Sequence, residues 1–355
     1  MGIQEKIKDI EEEMARTQVN KATEYHLGIL KAKLAKLRRE LVTPSGTKGA
    51  GGFDVKKSGD ASVVLIGLPS VGKSTLLNKL TGAKSEIAAY AFTTLKCIPG
   101  TMRYKDAKIQ ILDLPGIIEG AKDGKGRGRE IIGVARTADL ILILIEANAP
   151  KARKIIETEL YGFGIRINSR KPRISISKNA KGGLEINHTV PLKRISENEI
   201  KAAMSEYRIF NANVVLHDDV TVDEFIDVLE GNRVYTPAVY VMTKCDLAKG
   251  KLPSGYVKVS AEDDRSIAEL REKIYGTLDL INVFTKRRGE KADLEEALVV
   301  KNGITVAGVC EKLHRDLKKN FRYALVWGKS VKHPAQRVGL AHKVADGDII
   351  QIVKR

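Results

Sequence analysis

The sequence predicts an α/β protein whose core is an open sheet of mostly parallel strands. Three observations carry this. A short apolar run at 61–66 leads into Gly67-Leu68-Pro69-Ser70-Val71-Gly72-Lys73-Ser74, and residues from Thr75 to Leu80 follow with the pattern of an amphipathic helix. Asp113-Leu114-Pro115-Gly116 closes a strand-like segment at 108–112, and Thr243-Lys244-Cys245-Asp246 closes an apolar strand-like run at 238–242. Each motif sits where a strand ends, which is where open α/β sheets bind ligands.

The first motif is a phosphate loop in the strand–loop–helix context that such a loop requires. Its glycines let backbone N–H groups close on phosphate oxygens at a helix N-terminus that already favours anions. The expected phosphate contacts are Gly67, Pro69, Ser70, Val71, Gly72, Lys73, Ser74 and Thr75. Lys73 is expected to reach the β- and γ-phosphates and the Ser74 hydroxyl to ligate Mg²⁺. Asp113 can hold the same ion through water, and the Gly116 N–H can sense a γ-phosphate. Thr93-Thr94 lies between these motifs, and Thr94 is the candidate to complete the metal shell. The metal set is thus Ser74, Thr94 and Asp113; the catalytic set is Lys73, Thr94 and Gly116.

The third motif is suited to guanine. Asp246 can accept hydrogen bonds from the guanine N1–H and N2–H₂ groups while the Lys244 stem covers the ring. Adenine lacks those donors, and an unpaired carboxylate penalises it. Ser260-Ala261 follows a strand-like segment at 256–259 and can offer a backbone N–H to guanine O6. With Thr243 opening the motif, four elements in this order describe a site for GTP or GDP with Mg²⁺, and so a GTPase.

The chain has 355 residues, enough for two or more domains. Its net charge of +17 is uneven: 161–215 carry +6 and 286–355 carry +8, while 61–160 and 216–285 together are neutral. Basic appendages on a neutral core are an electrostatic footprint for nucleic acid. Cys97, Cys245 and Cys310 form neither a ligand spacing nor a disulfide framework, which fits a reducing cytoplasm. No apolar run approaches the ~20 residues of a membrane helix, and the charged N-terminus is no signal peptide.

Five segments follow from the pattern. Residues 1–60 read as a helical hairpin and a Gly-rich linker, with apolar stripes at Ile3, Ile7, Ile10 and Met14 and at Leu27, Leu30, Leu34 and Leu37. The core occupies 61–163 and 212–285, with Thr221 to Leu229 as a returning core helix. Between them, 164–211 reads as a small α/β insertion, because the gap is too long for one crossover. Residues 286–355 read as a β-grasp-like unit with a helix at 306–317. Trp327, the only tryptophan, is expected to anchor its core. The glycine-rich basic stretch 120–128 is expected to be a switch loop.

The chain resembles the developmentally regulated GTP-binding proteins, an Obg-related group, from end to end. The marks are Gly51 to Asp60, the phosphate loop, Ala91-Phe92-Thr93-Thr94-Leu95, Asp113 to Ala121, and Phe321-Arg322-Tyr323-Ala324-Leu325-Val326-Trp327-Gly328. The last looks like the TGS module, a β-grasp unit shared with threonyl-tRNA synthetase and stringent-response enzymes; the short linker and basic character look archaeal. The resemblance implies a P-loop GTPase core with an N-terminal helical hairpin, a small α/β insertion and a C-terminal TGS-like β-grasp domain. It implies GTP-driven work with ribosomes or RNA in translation; an activating or stabilising protein is a further candidate partner, and no DNA specificity is expected.

Two positions stand out against that pattern. The guanine motif of the family usually begins with Asn, and Thr243 stands there. Ile117 occupies the place of the water-orienting glutamine of Ras-like enzymes, so slow intrinsic turnover is expected. A partner residue, backbone positioning or a monovalent cation such as K⁺ would have to serve. Ser70 stands where some potassium-dependent relatives carry an Asn ligand. Arg127, Arg129 and Arg136 are candidates to act in cis. The alternative function is an RNA- or ribosome-binding scaffold whose GTP site is mainly structural; a metabolic P-loop kinase is disfavoured by the guanine motif.

Overall fold

The computed structural model describes residues 2–42, 59–82, 98–114, 127–248, 253–287 and 289–354. The chain divides into two compact units, one made of 1–52 and 154–236, the other of 53–153 and 237–355.

The second unit holds the expected sheet. Strands β1 (Ala61–Gly67), β2 (Ile98–Tyr104), β3 (Ala107–Asp113) and β4 (Leu140–Glu146) are joined later by β10 (Ala238–Thr243) and β11 (Val257–Lys258). Their order is β11-β10-β4-β1-β3-β2, parallel throughout except for β2. β2 turns into β3 through Lys105 and Asp106, both at positive φ, which matches the twist of a two-residue hairpin. The central strands β1 and β4 are buried almost without interruption, as a sheet covered on both faces requires. Helices α3 (Lys73–Thr81), α4 (Arg127–Thr137) and α8 (Asp264–Leu278) belong to this unit. Leu76, Leu77 and Leu80 of α3 and Ile267, Leu270 and Ile274 of α8 pack with Val63, Leu65, Ile109 and Leu142.

The same unit ends in a five-stranded sheet, β13-β12-β16-β14-β15. Its strands are β12 (Leu280–Lys286), β13 (Ala292–Lys301), β14 (Phe321–Trp327), β15 (Gln336–Val338) and β16 (Ile349–Lys354). Helices α9 (Val306–Leu313) and α10 (Arg315–Lys319) follow β13. This β-grasp unit starts at Leu280, not at 286, because β12 pairs with β13 and β16. The helix expected at 306–317 breaks at His314, whose extended backbone and Nδ1, accepting from the Asp316 N–H at 3.2 Å, cap a second helix.

The first unit joins the N-terminal helices to the insertion. Helices α1 (Ile3–Arg16) and α2 (Glu24–Val42) precede α5 (Ala152–Gly162), which lies in this unit from Lys154. The unit also holds a short parallel pair, β5 (Ile165–Ile167) with β9 (Val234–Thr236), and a separate three-stranded sheet. That sheet places β8 (Ala212–Leu216) between β6 (Ile174–Lys178) and β7 (Leu184–His188). Helices α6 (Glu197–Glu206) and α7 (Val222–Glu230) each start with a capping box, Ser196 with Glu199 and Thr221 with Glu224.

Residues 212–236 therefore belong with the insertion, contrary to the expected boundary at 211. β8 completes the insertion sheet. Phe225 of α7 is buried with Ile200, Met204 and Val214, and Ala32 of α2 joins the same core. Helical periodicity at 221–229 could not distinguish one apolar core from another. At the base of α7, Asp227 is buried between two guanidinium groups: Arg166 donates to both its oxygens, at 2.5 and 2.6 Å, and Arg233 donates at 2.9 Å.

Candidate nucleotide site

The phosphate loop leaves β1 at Gly67 and enters α3 at Lys73. A Cβ at Gly67 would lie 2.8 Å from the Leu144 carbonyl and 2.9 Å from Val71 Cγ1, so only glycine fits. Ser70 and Gly72 take positive φ values of 61° and 93°, which curl the backbone around the loop centre. Lys73 Nζ donates to the carbonyls of Gly67 and Leu68, at 3.1 Å each, and lies folded over the loop it serves.

β1 and β3 are neighbours, and their register sets Leu65 opposite Asp113. Asp113 thus ends its strand beside the start of the loop. The Ser74 hydroxyl donates to Asp113 Oδ2 at 2.7 Å. Asp113 Oδ1 is buried and has no hydrogen-bond partner among the described residues. A buried carboxylate oxygen without a donor, next to a hydroxyl, is a hard-oxygen set that suits Mg²⁺. The residues present fit the ion that the motif implies. Thr94 and Gly116, like Pro115, Ile117 and the stretch 120–126, lie outside the described residues.

Two strands away, β10 delivers the guanine motif. The buried Thr243 hydroxyl donates to the Val71 carbonyl at 2.8 Å, tying this motif to the phosphate loop. Lys244 adopts a left-handed backbone, φ 54°, which turns the chain into the 3₁₀ turn Cys245–Leu247 that carries the exposed Asp246. Lys244 Nζ forms an ion pair with Glu146 Oε1 at 3.2 Å. Glu146 escaped the sequence reading; its signal was its place as the last residue of β4, directly opposite Thr243. The Ser260 N–H is already engaged by Ser266 Oγ at 3.2 Å, which leaves the Ala261 amide as the candidate for guanine O6. Gly72, Thr75, Lys244, Asp246, Ser260 and Ala261 line one cavity of about 190 Å³. The phosphate and guanine elements, separated by more than 150 residues in sequence, share one site. Burial pushes the thiols of Cys245 and Cys310 above their ordinary range, which makes both poor nucleophiles.

Residues 62–178 match the family model described as a 50S ribosome-binding GTPase, and 181–280 match that of the C-terminal region of the MMR_HSR1 domain. Residues 281–354 match the TGS domain, in agreement with a β-grasp unit that starts at Leu280. The developmentally-regulated GTP-binding protein 1 homolog of Dictyostelium discoideum is 52% identical over 371 residues, covering 100% of both chains. The human developmentally-regulated GTP-binding protein 2 is 50% identical over 366 residues, again covering 100% of both. A GTP-binding protein of Methanocaldococcus jannaschii, itself uncharacterized, is 51% identical over 364 residues, 99% of this chain and 93% of that one. No described helix is long and apolar enough to cross a membrane. A phosphate loop and a guanine motif meeting in one cavity, a TGS domain behind them and this full-length identity place the chain in the developmentally regulated GTP-binding protein family.

Proposed function

We propose that this protein is a GTP-hydrolysing regulator that works on ribosomes or RNA during translation, in the cytoplasm and with an activating or stabilising protein partner. The observation that carries the nucleotide half is the Thr243–Val71 bond, which fixes the guanine motif against the phosphate loop. The ribosomal half is supported by the +6 and +8 carried by 161–215 and 286–355 beside a neutral core, and by the ribosome-binding description of the matching family model.

The residues have distinct tasks. Backbone amides of the loop hold the phosphates, and Lys73 leaves its carbonyl partners to meet the β- and γ-phosphates. Ser74, and Asp113 through water, would hold Mg²⁺; Thr94 would complete that set with GTP bound, and the Gly116 amide would sense the γ-phosphate. When bound, the ion neutralises charge that develops between those phosphates. Asp246 reads the guanine edge, and the Lys244 stem covers the ring. Ile117 cannot orient the attacking water, so basal turnover is slow and rises with a partner residue or with K⁺.

The test is turnover of labelled GTP by the full chain, with and without ribosomal particles, alongside GTP, GDP and ATP titrations. Ribosome-stimulated hydrolysis with no ATP binding is expected. GTP binding with turnover that ribosomes leave unchanged would favour a scaffold whose nucleotide is structural. Equal ATP binding would refute the guanine assignment.

A further inference from the structure

The TGS sheet has two unlike faces. One covers the helices: Val283, Ala324, Val326 and Ile350 are buried with Val306, Val309 and Cys310. Side chains alternate along a strand, so their neighbours point the other way. On that second face the register sets Ile349 of β16 opposite both Phe284 of β12 and Trp327 of β14. Further along β14, Leu325 lies between Gln351 and Arg337, and Tyr323 opposes Val353. Phe284, Tyr323, Leu325, Trp327 and Ile349 are all partly exposed. Near the start of β12 and the end of β13 the face turns to the nucleotide-binding core, through Leu280 and Val299. Trp327 is therefore not the core anchor expected from sequence.

The rings on this face carry cations. Lys286 Nζ lies 4.9 Å from the Trp327 ring centroid, and the guanidinium groups of Arg337 and Arg322 lie 4.2 and 6.0 Å from that of Tyr323. An aromatic ring beside a cation suits a nucleotide: the base stacks on the ring and the phosphate meets the charge. An apolar face meant for a protein helix has no need of three cations on its two rings, nor of a segment carrying +8. Along one strand, Tyr323 and Trp327 stand about 13 Å apart. Stacked neighbours in a helix rise only about 3.4 Å, so bases on these two rings must belong to an extended, unpaired strand.

We propose that this face of the TGS domain is a stacking platform for single-stranded RNA, with Trp327 and Tyr323 under two unpaired bases and Lys286, Arg322 and Arg337 on the flanking phosphates. The proposal rests on the RNA reading above and deepens it by naming the surface and the state of the RNA.

Trp327 is the only tryptophan, so its emission reports on the platform directly. The full chain is titrated with end-labelled oligouridylate, following tryptophan emission and label anisotropy together. Saturable quenching with the same midpoint as the anisotropy is expected, and a duplex RNA should leave the emission unchanged. Tyr323→Leu should weaken binding about tenfold, the scale of one lost stack. Arg337→Gln should flatten the salt slope by roughly 0.7. Thermal melts and GDP affinity establish that both variants fold. RNA bound with unchanged Trp327 emission and an unaffected Tyr323→Leu variant would overturn the platform while sparing the RNA reading. Equal quenching by duplex would overturn the unpaired-strand geometry. No RNA binding by either signal would remove both the platform and the reading beneath it. Emission that changes with protein concentration alone would assign the face to a second copy of the chain.

Discussion

Thr243 reaches across from the end of β10 and gives its hydroxyl proton to the carbonyl of Val71, 2.8 Å away in the phosphate loop. The bond is buried, and it crosses from the guanine side of the site to the phosphate side. Thr243, with its short side chain, achieves the tie because the two segments lie close together. Its second contact, to the Ile145 carbonyl at 3.4 Å, holds it to the neighbouring strand β4.

Thr243→Val keeps the shape and removes the donor. A buried carbonyl left without its partner costs about 1–3 kcal/mol. GTP and GDP affinities should fall together, by about tenfold, and Thr243→Ser should recover most of the loss. Calorimetric titration with GDP measures this. A Val variant that binds GDP as the native chain does would show that the two loops hold their positions without the tie.

Asp246→Asn should weaken GTP binding and turn preference toward xanthine nucleotides. The Asn amide donates where the carboxylate accepted, and xanthine offers an acceptor at O2 where guanine offers a donor. The exposed setting of Asp246 on its 3₁₀ turn leaves the side chain free to be exchanged without disturbing a core. Competition of GTP, XTP and ATP against a fluorescent nucleotide would decide the point, and an unchanged GTP preference would contradict it.

The nucleotide site was legible in the sequence because its chemistry is local. A phosphate loop needs Gly67 and Gly72 within a few residues of Lys73 and Ser74, and the guanine motif is four consecutive residues. What escaped was pairing between distant segments. Glu146 is an ordinary strand-end residue until β4 lies beside β10. The insertion boundary failed because β8 and α7 carry the same apolar periodicities as core elements, and only the pairing of β8 with β6 and β7 and the burial of α7 in their core assign them. Trp327 was misplaced for a related reason: alternation along β14 separates two faces but does not say which one meets the helices.

Lys73→Ala and Ser74→Ala should both abolish turnover by separate routes. Lys73 contributes charge to the transferring phosphoryl group, whereas Ser74 contributes an oxygen beside Asp113. Raising Mg²⁺ should therefore restore part of the activity of Ser74→Ala and none of that of Lys73→Ala. Single-turnover assays across a Mg²⁺ series distinguish them, and equal rescue of the two would sink these roles.

Asp227→Ala should destabilise the first unit severely. It strands the buried side chains of Arg166 and Arg233, each with less than a tenth of its surface exposed. Removing one partner from a buried charge cluster costs about 3–5 kcal/mol. The nucleotide-site residues all lie in the other unit, so GDP should still stabilise the variant chain against heat. Denaturant unfolding with and without GDP tests this; an unchanged first transition would mean that the cluster is dispensable.

Truncation of the TGS domain gives the last prediction, and the structure changes its expected result. The sequence reads 286–355 as a basic appendage on a neutral core, which by itself would make it separable. Yet Leu280 and Val299 are buried in the same cluster as Val63, Ile109 and Leu140. Lys301 pairs at 2.6 Å with Asp139, whose other oxygen accepts from the Ser62 amide at the start of β1. Lys312 pairs with Asp60, which in turn accepts from the Lys108 amide at the start of β3. A cut at 286 strips β12 of both its partner strands and uncovers the core under Val299. Burial of each such side chain is worth up to about 1.5–3 kcal/mol. The truncated chain should therefore melt several degrees lower and bind GDP more weakly, although no residue of the nucleotide cavity has been removed. Lys301→Met, which leaves both domains whole, should show a smaller shift in the same direction. If the truncation melted and bound GDP like the full chain, the shared cluster would contribute nothing and the two domains would be independent.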